Sequence, residues 1–328
     1  MKILIAGLGS VGRRHLRNLI SLGEKDVLLY RTHQSTLPPD ELTSYPEETD
    51  LDRALQAGPD AVIVANPTSN HLDVAIPAAR AGCSILLEKP ISNSLERVDV
   101  LEQALQESGG KLLVGFQFRF HPTLLKILQL LRQGAIGRVL SFRGQYNEYL
   151  PGCHPWENYR QGFAARADLG GGPVLTFCHP LDYLRWMFGE VDSAWAFTGH
   201  LSDLELSTED AAEIGLRLQN GIVGSLHLGY NQQPPSHCLE VVGTLGTMHW
   251  DNEDGILHLY RSEIKAWEEH SPPTGFERND MFRNEMSHFL AVARGECEPE
   301  CTLADGVAAL QLSLAVHRSS KKGELVCL

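Results

Sequence analysis

The chain has 328 residues, of which 43% are hydrophobic and 21% are charged, a composition typical of globular proteins. Its formal charge of −13 argues against nucleic acid or an anionic membrane surface as the main partner. We expect no signal peptide and no membrane span, since no segment approaches the roughly 20 apolar residues that cross a bilayer. Seven scattered cysteines without metal-ligand spacing predict reduced thiols in a cytoplasmic protein.

Residues 1–120 alternate short apolar runs with helical patterns, as a parallel sheet with helices on both faces requires. Most of the helical patterns end at glycine, as helices commonly do. We therefore predict an α/β N-terminal domain with a doubly wound parallel sheet over residues 1–120. The predicted strands cover residues 2–6, 26–30, 60–65, 84–88 and 111–115, and the predicted helices cover residues 12–23, 51–58, 71–82 and 95–110.

The pattern changes at a domain boundary that we place near Arg119–Pro122. Successive strand patterns with glycine turns predict a C-terminal α+β domain over residues 121–328. Its mostly antiparallel sheet is expected to be covered by helices on one face. Strands are predicted at residues 137–150, 193–200, 211–218, 221–230, 238–250 and 255–261, and helices at 123–134, Met281–Arg294 and Leu303–Ser319. The C-terminal helix can pack back on the first domain.

A glycine loop follows the first predicted strand and opens the first helix. Gly7, Gly9 and Gly12 have the spacing GxGxxG. The first glycine allows the tight turn, the second lets the backbone approach a pyrophosphate, and the third lets the helix pack on the strand. The pyrophosphate would meet free N–H groups at the helix start, at Ser10 and Val11. The loop therefore predicts a dinucleotide-binding site.

The end of the second strand indicates which dinucleotide binds. An NAD enzyme carries Asp or Glu about 20 residues after the glycines, where it holds the ribose hydroxyls. This chain instead has Tyr30, Arg31, Thr32, His33 and Ser35. Arg31 can form charge-assisted hydrogen bonds with a 2′-phosphate, which a carboxylate would repel. We predict that NADP is preferred and NAD is the second cofactor; a solvated loop arginine is the alternative interpretation.

The segment SILLEKPIS places Lys89 at the carboxyl end of a buried strand, between Glu88 and Pro90. Ligands of open parallel sheets lie at that edge. A cation beside the nicotinamide can hydrogen-bond a substrate hydroxyl and stabilise the alkoxide that develops as hydride leaves. We therefore predict that Lys89 is catalytic and that Glu88 pairs with it or orients it. A structural ion pair at a strand end is the alternative.

The motifs GxGxxG, NPTSNH, AGCSILLEKPIS, FRFHP and GGGPVLTFCHPLDYLRWMFG resemble, in order and spacing, those of the Gfo/Idh/MocA oxidoreductases. The resemblance extends to the C-terminal TLADGVAALQLSLAVHRSSKKGELV. It implies a Rossmann domain, a second domain with a large open sheet that forms homodimers or homotetramers, and NAD(P)-linked redox chemistry at a sugar or cyclitol carbon. The segment EYLPGCHPWENYR resembles a branch associated with nucleotide-sugar loci. The expected cofactor contacts then include Asn66, Pro67, His71 and Glu88, and no metal site is predicted.

The segment after three consecutive glycines carries the family's proton-transfer residue, which the resemblance assigns to His179. An imidazole that titrates near neutrality suits this task. A spacing of three residues predicts that Thr176 shares the helix face of His179, and Asp182 continues it. Many family members have an aspartate one turn before the histidine, where this chain has Thr176. His179 then works alone, Asp182 supports it, or the chemistry differs; a core histidine is the alternative.

An aromatic and basic segment is the predicted substrate lid, because Trp and Tyr stack on sugar faces and Arg and His hold hydroxyls or phosphate. An ordered interface loop is the alternative. Arg119, at the predicted domain junction, is a further substrate-binding candidate, with a hinge salt bridge as its alternative. The lid candidates are His154, Pro155, Trp156, Glu157, Tyr159, Arg160 and Arg166.

These features predict an oxidoreductase that transfers a hydride between a nicotinamide cofactor and a secondary alcohol or ketone of a sugar, cyclitol or nucleotide sugar. Two other functions stay open. One is an enzyme that keeps its nicotinamide bound and cycles it to break glycosidic bonds. The other is a non-enzymatic regulator that senses dinucleotides on the same scaffold, for which the missing aspartate is the argument.

Overall fold

A six-stranded parallel sheet forms the N-terminal half of the protein. The structure, a computed structural model, describes residues 1–33, 37–38, 40–153 and 155–328. The strand order is β3-β2-β1-β4-β5-β6, which is the order of a doubly wound dinucleotide-binding sheet. The strands are β1 (Ile3–Ala6), β2 (Val27–Tyr30), β3 (Glu47–Glu48), β4 (Ala61–Val64), β5 (Ser84–Glu88) and β6 (Leu112–Gly115).

The core of this half lies between the sheet and helices on both of its faces. All four residues of β1 and of β4 are fully buried, so their uninterrupted apolar sequences match a strand covered on both sides. Helix α3 packs against α2 and α4, whereas α1 packs against a helix of the C-terminal half. The helices are α1 (Ser10–Ser21), α2 (Leu51–Gln56), α3 (His71–Arg80) and α4 (Val98–Ser108).

The C-terminal half is built on a nine-stranded sheet. Its order is β14-β13-β12-β11-β7-β10-β9-β8-β15, and every neighbouring pair is antiparallel except β7 with β10. The predicted fold class is therefore confirmed for both halves. The strands are β7 (Val139–Asn147), β8 (Val191–Gly199), β9 (Ala211–Leu218), β10 (Val223–Gly229), β11 (Ser236–Gly243), β12 (Gly246–Asp251), β13 (Leu257–Arg261), β14 (Ala266–His270) and β15 (Val326–Cys327).

Helices cover one face of the large sheet and also join the two halves. Helices α7 and α8 pack on the sheet, and α10 packs on both β8 and β6. A side chain on Gly306 of α10 would meet Ile91 at 2.6 Å and Val114 at 3.0 Å, so this helix lies close against the first sheet. The helices are α5 (Pro122–Arg132), α6 (Leu150–Cys153), α7 (Pro173–Thr176), α8 (His179–Phe188), α9 (Arg278–Ala293) and α10 (Leu303–Lys322).

Several predicted elements differ from the structure. The single strand predicted over residues 238–250 is wrong: it is a hairpin of β11 and β12. Gly243 and Gly246 flank the turn of this hairpin. Glycine is needed at both positions, because a Cβ would come within 2.2 Å of a backbone carbonyl oxygen at Gly243 and within 2.1 Å of one at Gly246. Strands β3, β14 and β15 were not predicted, because two of them have two residues and β14 is a charged edge strand. The domain boundary near Arg119–Pro122 stays a prediction.

Arg119 and Asp182 form a buried ion pair at the junction of the halves. Arg119 Nε and Nη2 donate to the two oxygens of Asp182 at 2.9 Å and 2.6 Å, and Nη1 donates to the carbonyl of Glu300 at 2.7 Å. Asp305, in the first turn of α10, lies 3.1 Å from the same guanidinium. Both partners are at most 3% exposed. The ion pair favours the alternative for Arg119, a hinge salt bridge, and the predicted substrate contacts of Arg119 and Asp182 stay predictions.

Among the described residues, no helix combines the length and the apolarity that crossing a membrane requires.

Candidate active site

The glycine loop has the geometry that its sequence predicts. Gly7 has φ +91°, and a Cβ there would lie 2.2 Å from the backbone nitrogen of Asn66, so the loop passes tightly over the end of β4. A Cβ on Gly12 would lie 1.9 Å from the carbonyl oxygen of Gly7, which shows how closely α1 packs on the loop. At Gly9 a Cβ would meet nothing within 4 Å. The open side at Gly9 leaves room for a ligand to approach the backbone.

This loop and α1 together fit a dinucleotide pyrophosphate. Gly9 is the N-cap of α1, it offers no side chain to the free N–H groups, and the first turn contains no acidic residue. The N–H groups of Ser10, Val11 and Gly12 are therefore the ones that a bound anion would accept from. Pro67 follows Asn66 at the end of β4, on the same edge of the sheet.

Arg31 lies at the end of β2, but it is already paired. Its Nη1 donates to Oε2 of Glu47 at 2.8 Å, and its side chain is 10% exposed. His33 lies 3.3 Å from the other oxygen of Glu47, and Thr32 is exposed. Strand β3 brings this carboxylate beside β2, and β3 is too short for its sequence to predict. Ser35 of the predicted cofactor edge lies outside the described residues.

Two other predicted cofactor residues have their polar atoms occupied within the protein. The His71 ring lies between two loops. Its Nδ1 is 2.9 Å from the carbonyl oxygen of Pro90, in the loop after β5, and its Nε2 is 2.9 Å from that of Asn66, in the loop after β4. The carboxylate of Glu88 is buried and lies 2.7 Å from His15 Nε2. Both side chains shape the sheet edge, and their predicted contacts with the dinucleotide stay a prediction.

Lys89 reaches across from the end of β5 to the C-terminal half. Its Nζ donates to the carbonyl oxygen of Thr176 at 2.7 Å. In a continuous helix that carbonyl would accept from the N–H of residue 180, but Pro180 has none. The proline therefore leaves an unsatisfied carbonyl at the end of α7, and the ammonium of Lys89 satisfies it. Two donors of Lys89 remain for a substrate.

The same proline separates Thr176 from His179. The predicted single helix is wrong: α7 ends at Thr176 and α8 begins at His179, with Phe177 and Cys178 between them. The shared helix face of Thr176 and His179 is therefore wrong as well. The hydroxyl oxygen of Thr176 is buried and has no hydrogen-bond partner among the described residues. Its predicted substrate contact is not supported by this placement.

His179 is buried among aromatic rings close to Lys89. The rings of Phe118 and Phe116 lie 4.9 Å and 5.7 Å from its ring, and the Gln117 amide nitrogen lies 3.2 Å from its Nε2. Its Nδ1 has no hydrogen-bond partner among the described residues. Burial, helped by the positive charge of Lys89, lowers the pKa of His179 well below its ordinary value of 6.5. The neutral imidazole, the form that accepts a proton, therefore prevails at neutral pH.

A cavity of about 230 Å³ opens beyond this ring cluster. The walls nearest His179 are Phe118 and Tyr146, and Tyr146 stacks on His237 with the ring centres 4.1 Å apart. Asn147 is fully buried and lines the cavity, and neither polar atom of its side chain has a partner among the described residues. The cavity is lined by Phe118, Tyr146, Asn147, Glu148, Pro234, Pro235, Ser236, His237, Asn252, Glu253 and Arg278.

No lid candidate that the structure describes lines this cavity. Tyr159 accepts from the backbone of Glu205, and Arg166 is exposed and paired with Asp168 two residues on. Trp156 is 66% exposed. His154 lies outside the described residues. The charge of Glu157 acts on Arg13 of α1 and so connects the segment with the first half, and the lid and the interface loop both stay open.

The cavity residues were missed because the sequence distributes them over β7, β11 and the start of α9. The sequence of β7 did contain a signal. Strand β7 pairs in parallel with β10, so the carboxyl end of β7 is an edge where ligands can bind. At that end the sequence turns polar, with Tyr146, Asn147 and Glu148. Because the partner of β7 lies about 80 residues further on, that signal has meaning only in the folded sheet.

Comparison with known proteins places both halves in one family. A model described as an oxidoreductase family with an NAD-binding Rossmann fold matches residues 1–116, and the GFO/IDH/MocA C-terminal domain matches residues 124–249. The fold and the site thus define a nicotinamide-dependent oxidoreductase. The chain belongs to the Gfo/Idh/MocA oxidoreductases, and the resemblance of its motifs is confirmed.

Similar proteins cover nearly the whole chain. The myo-inositol 2-dehydrogenase of Thermotoga maritima is 26% identical, over 100% of this chain and 98% of that protein. The 1,5-anhydro-D-fructose reductase of Ensifer adhaerens is 25% identical, over 81% of this chain and 78% of that protein. Levoglucosan dehydrogenase in complex with NADH has the same fold, with a TM-score of 0.87 at 20% identity, over 100% of this chain and 98% of that one.

We predict that the rate of alcohol oxidation falls in acid because His179 takes up a proton. The pKa of His179 in the folded protein lies well below 6.5. Lowering the pH from neutrality should therefore leave kcat/KM unchanged through pH 6.5, and kcat/KM should decline only near the lowered pKa. His179→Asn should lower the rate and remove this decline. Initial rates from pH 4.5 to 8 in both proteins provide the measurement. A decline that persists unchanged in His179→Asn would assign the ionisation to another group.

Proposed function

We propose that this protein transfers a hydride between NAD(P) and a secondary alcohol or ketone of a sugar, a cyclitol or a nucleotide-linked sugar. The observation that carries the proposal is the contact of Lys89 with the carbonyl of Thr176, three residues before His179. This contact brings a cation and a neutral imidazole together at the sheet edge that also carries the glycine loop. The curated relatives described above act on cyclitol and sugar substrates, which supports the substrate class.

The roles of the two residues follow from their charge states. A bound dinucleotide would supply the hydride acceptor. Lys89 donates a hydrogen bond to the substrate hydroxyl and stabilises the negative charge that grows on its oxygen. His179 accepts the hydroxyl proton at Nδ1 when the Gln117 amide is turned so that its oxygen accepts from Nε2–H. Thr176 contributes its backbone carbonyl, which holds Lys89, and its hydroxyl stays in the core.

The cavity beside His179 is the proposed substrate site. Asn147 offers a buried amide and Glu148 a half-buried carboxylate that can pair with sugar hydroxyls, and Tyr146 gives an aromatic wall. Arg278, at the start of α9, adds a cation at the cavity surface. These residues replace Trp156, Tyr159 and Arg166 as the candidates for substrate recognition.

The proposal predicts that Lys89→Met binds the dinucleotide normally and turns over about 10²–10³-fold more slowly, the usual loss when a group that stabilises a developing oxyanion is removed. Reduction of NAD(P)+ should be followed with a panel of sugars, cyclitols and nucleotide sugars. Lys111→Met is the matched control, since Lys111 forms an exposed salt bridge with Glu298.

Three outcomes would contradict the proposal. Near wild-type turnover in Lys89→Met would remove its central residue. Cofactor that co-purifies in one redox state and breaks glycosidic bonds without net reduction would favour the cycling enzyme. Dinucleotide binding with no turnover on the whole panel would favour the regulator.

We also propose that NADP is the preferred cofactor and that Arg31 selects it. The support is the position of Arg31 at the end of β2, where no carboxylate of β2 itself faces the ribose. Glu47 opposes the preference, because a 2′-phosphate must displace this carboxylate from Arg31. The strength of the preference therefore depends on two side chains of opposite charge.

The cofactor proposal predicts opposite effects of two substitutions. Arg31→Ala should weaken NADPH binding by about 10–100-fold, the value of a hydrogen bond to a charged group, and leave NADH binding nearly unchanged. Glu47→Gln should strengthen NADPH binding, because Arg31 is released. Dissociation constants for both dinucleotides decide the matter. If Glu47→Gln instead weakens NADH and leaves NADPH unchanged, Glu47 holds the ribose of NAD and the preference is reversed.

We further propose that the protein forms a homodimer or homotetramer through the open face of the nine-stranded sheet. In β8, Ala194 and Ala196 are buried under the helices, whereas Trp195 and Phe197 point to the other face and are 37% and 62% exposed. Trp267 of β14 is 56% exposed. Exposed aromatic residues on one face are typical of an interaction surface. The cytoplasmic location stays a prediction from the cysteines.

Phe197→Glu should shift the protein toward the monomer, because it places a charge on the apolar surface of the proposed interface. Leu245→Glu, a change in the β11–β12 turn at a residue 56% exposed, is the control and should leave the assembly unchanged. Sedimentation velocity at matched concentrations measures both. A wild-type monomer, or equal effects of the two substitutions, would contradict the proposed interface.

A further inference from the structure

Three ionisable side chains meet in the core beneath the Lys89 turn. His15 comes from α1, Glu88 from the end of β5 and Glu285 from α9, and one nitrogen or oxygen atom of each lies within 4.8 Å of the others. His15 and Glu285 are fully buried, and Glu88 is 7% exposed. The nicotinamide chemistry proposed above uses none of the three directly.

Glu88 is held by donors on two sides. His15 Nε2 lies 2.7 Å from one oxygen, and the backbone N–H of Lys89 donates to the other at 3.2 Å. Burial disfavours the charge of Glu88, but the hydrogen bond and charge of His15, together with Lys89, hold the pKa of this carboxyl below its ordinary value. Glu88 is therefore the ionised member of the group, and it fixes the backbone that presents Lys89.

Glu285 differs from Glu88 in that neither of its oxygens has a hydrogen-bond partner among the described residues. A buried carboxylate without a partner is among the most costly groups in a protein interior. Burial first, and then the negative charge of Glu88, raise the pKa of Glu285 well above its ordinary value, and Lys89 acts in the opposite direction. The other titratable groups that face Glu285 are His15 and the buried thiol of Cys301.

Protonation of Glu285 would account both for its burial and for its lack of a hydrogen-bond donor. It removes the buried charge of Glu285, and it provides an O–H that Glu88 can accept. A metal ion bound by all three residues fits less well. The 2.7 Å contact between His15 and Glu88 is a direct hydrogen bond, shorter than the separation of two ligands that bind one ion at about 2.1 Å each in a tetrahedral site.

We propose that Glu285 is a neutral carboxylic acid that donates a hydrogen bond to Glu88 and so acts as a positioning residue for Lys89. Glu88 then accepts from α1, from its own turn and from α9, and the last of these comes from the C-terminal half. The hydrogen bond from Glu285 would make the position of the Glu88 carboxylate depend on how α9 packs. Since Glu88 accepts from the backbone N–H of Lys89, the packing of α9 would in turn position Lys89. The kinetic consequence rests on the proposed function, whereas the protonation of Glu285 does not.

Two nearly isosteric substitutions test the proposal. Glu285→Gln keeps a donor for Glu88 and carries no charge, so kcat and its pH profile should stay within about threefold of wild type. Glu285→Met keeps the volume but has no donor, so kcat should fall about tenfold or more while the dissociation constant of the dinucleotide stays within about threefold. A merely space-filling role predicts equal kinetics for the two variants.

Two measurements decide the proposal without turnover. Infrared spectra should show a carboxylic-acid C=O band, shifted in D₂O, that is present in wild type and absent in Glu285→Gln. Acetylation of Lys89, followed by peptide mass, should proceed at the wild-type rate in Glu285→Gln and at a different rate in Glu285→Met. If no sugar is turned over, these two results still stand, and the proposed function alone has failed.

The opposite results would overturn the proposal. A missing acid band would show that Glu285 is ionised, and a loss of activity in Glu285→Gln as large as that in Glu285→Met would show that the donor at this position does not matter. A stoichiometric divalent metal in the purified protein, lost in Glu285→Gln, would assign the three residues to a metal site. Equal Lys89 acetylation in all three proteins would show that Glu285 does not position the lysine.

Discussion

The hydrogen bond from Lys89 to the carbonyl of Thr176 is the contact on which the active site depends. It exists because Pro180 has no N–H to donate to that carbonyl. The helix is therefore interrupted between α7 and α8, and the carbonyl of Thr176 is left as a free acceptor. The lysine belongs to the first sheet and the acceptor to the second half. Pro180 thus determines where Lys89 of the first half meets His179 of the second.

Buried charge at the junction is divided between paired and neutral groups. Arg119 and Asp182 form a bidentate ion pair, so each has a partner of opposite charge in the interior. His179 and Glu285 have no such partner, and burial moves the pKa of each toward the neutral form. Lys89 is half-buried, and its ammonium donates to the carbonyl of Thr176. In the proposed reaction an alkoxide would form next to Lys89 and the neutral His179, with the carboxylate of Glu88 hydrogen-bonded to the Lys89 backbone and Arg278 at the cavity surface.

The sequence predicted what local pattern encodes and missed what only the sheets assemble. The five main strands of the first sheet were predicted within one or two residues, because each is an uninterrupted apolar run. The glycine loop and Lys89 were found from motifs that sit at a strand end. Glu47, Asn147 and Arg278 were not found, because each reaches the site from an element distant in sequence. Thr176 was misplaced because helix periodicity was carried across Pro180, where the backbone cannot continue it.

The shortness of β3 has a consequence for how this enzyme can change. Glu47 lies in a strand of two residues at the outer edge of the first sheet, half exposed and remote from the packed core. Substitutions at such a position usually alter folding stability by less than about 0.5 kcal/mol. With Arg31 and Glu47 setting the cofactor as proposed, a substitution at this edge would change the choice between NAD and NADP at little cost in folding stability, whereas Lys89 and the carbonyl of Thr176 are fixed by the packing of the two halves.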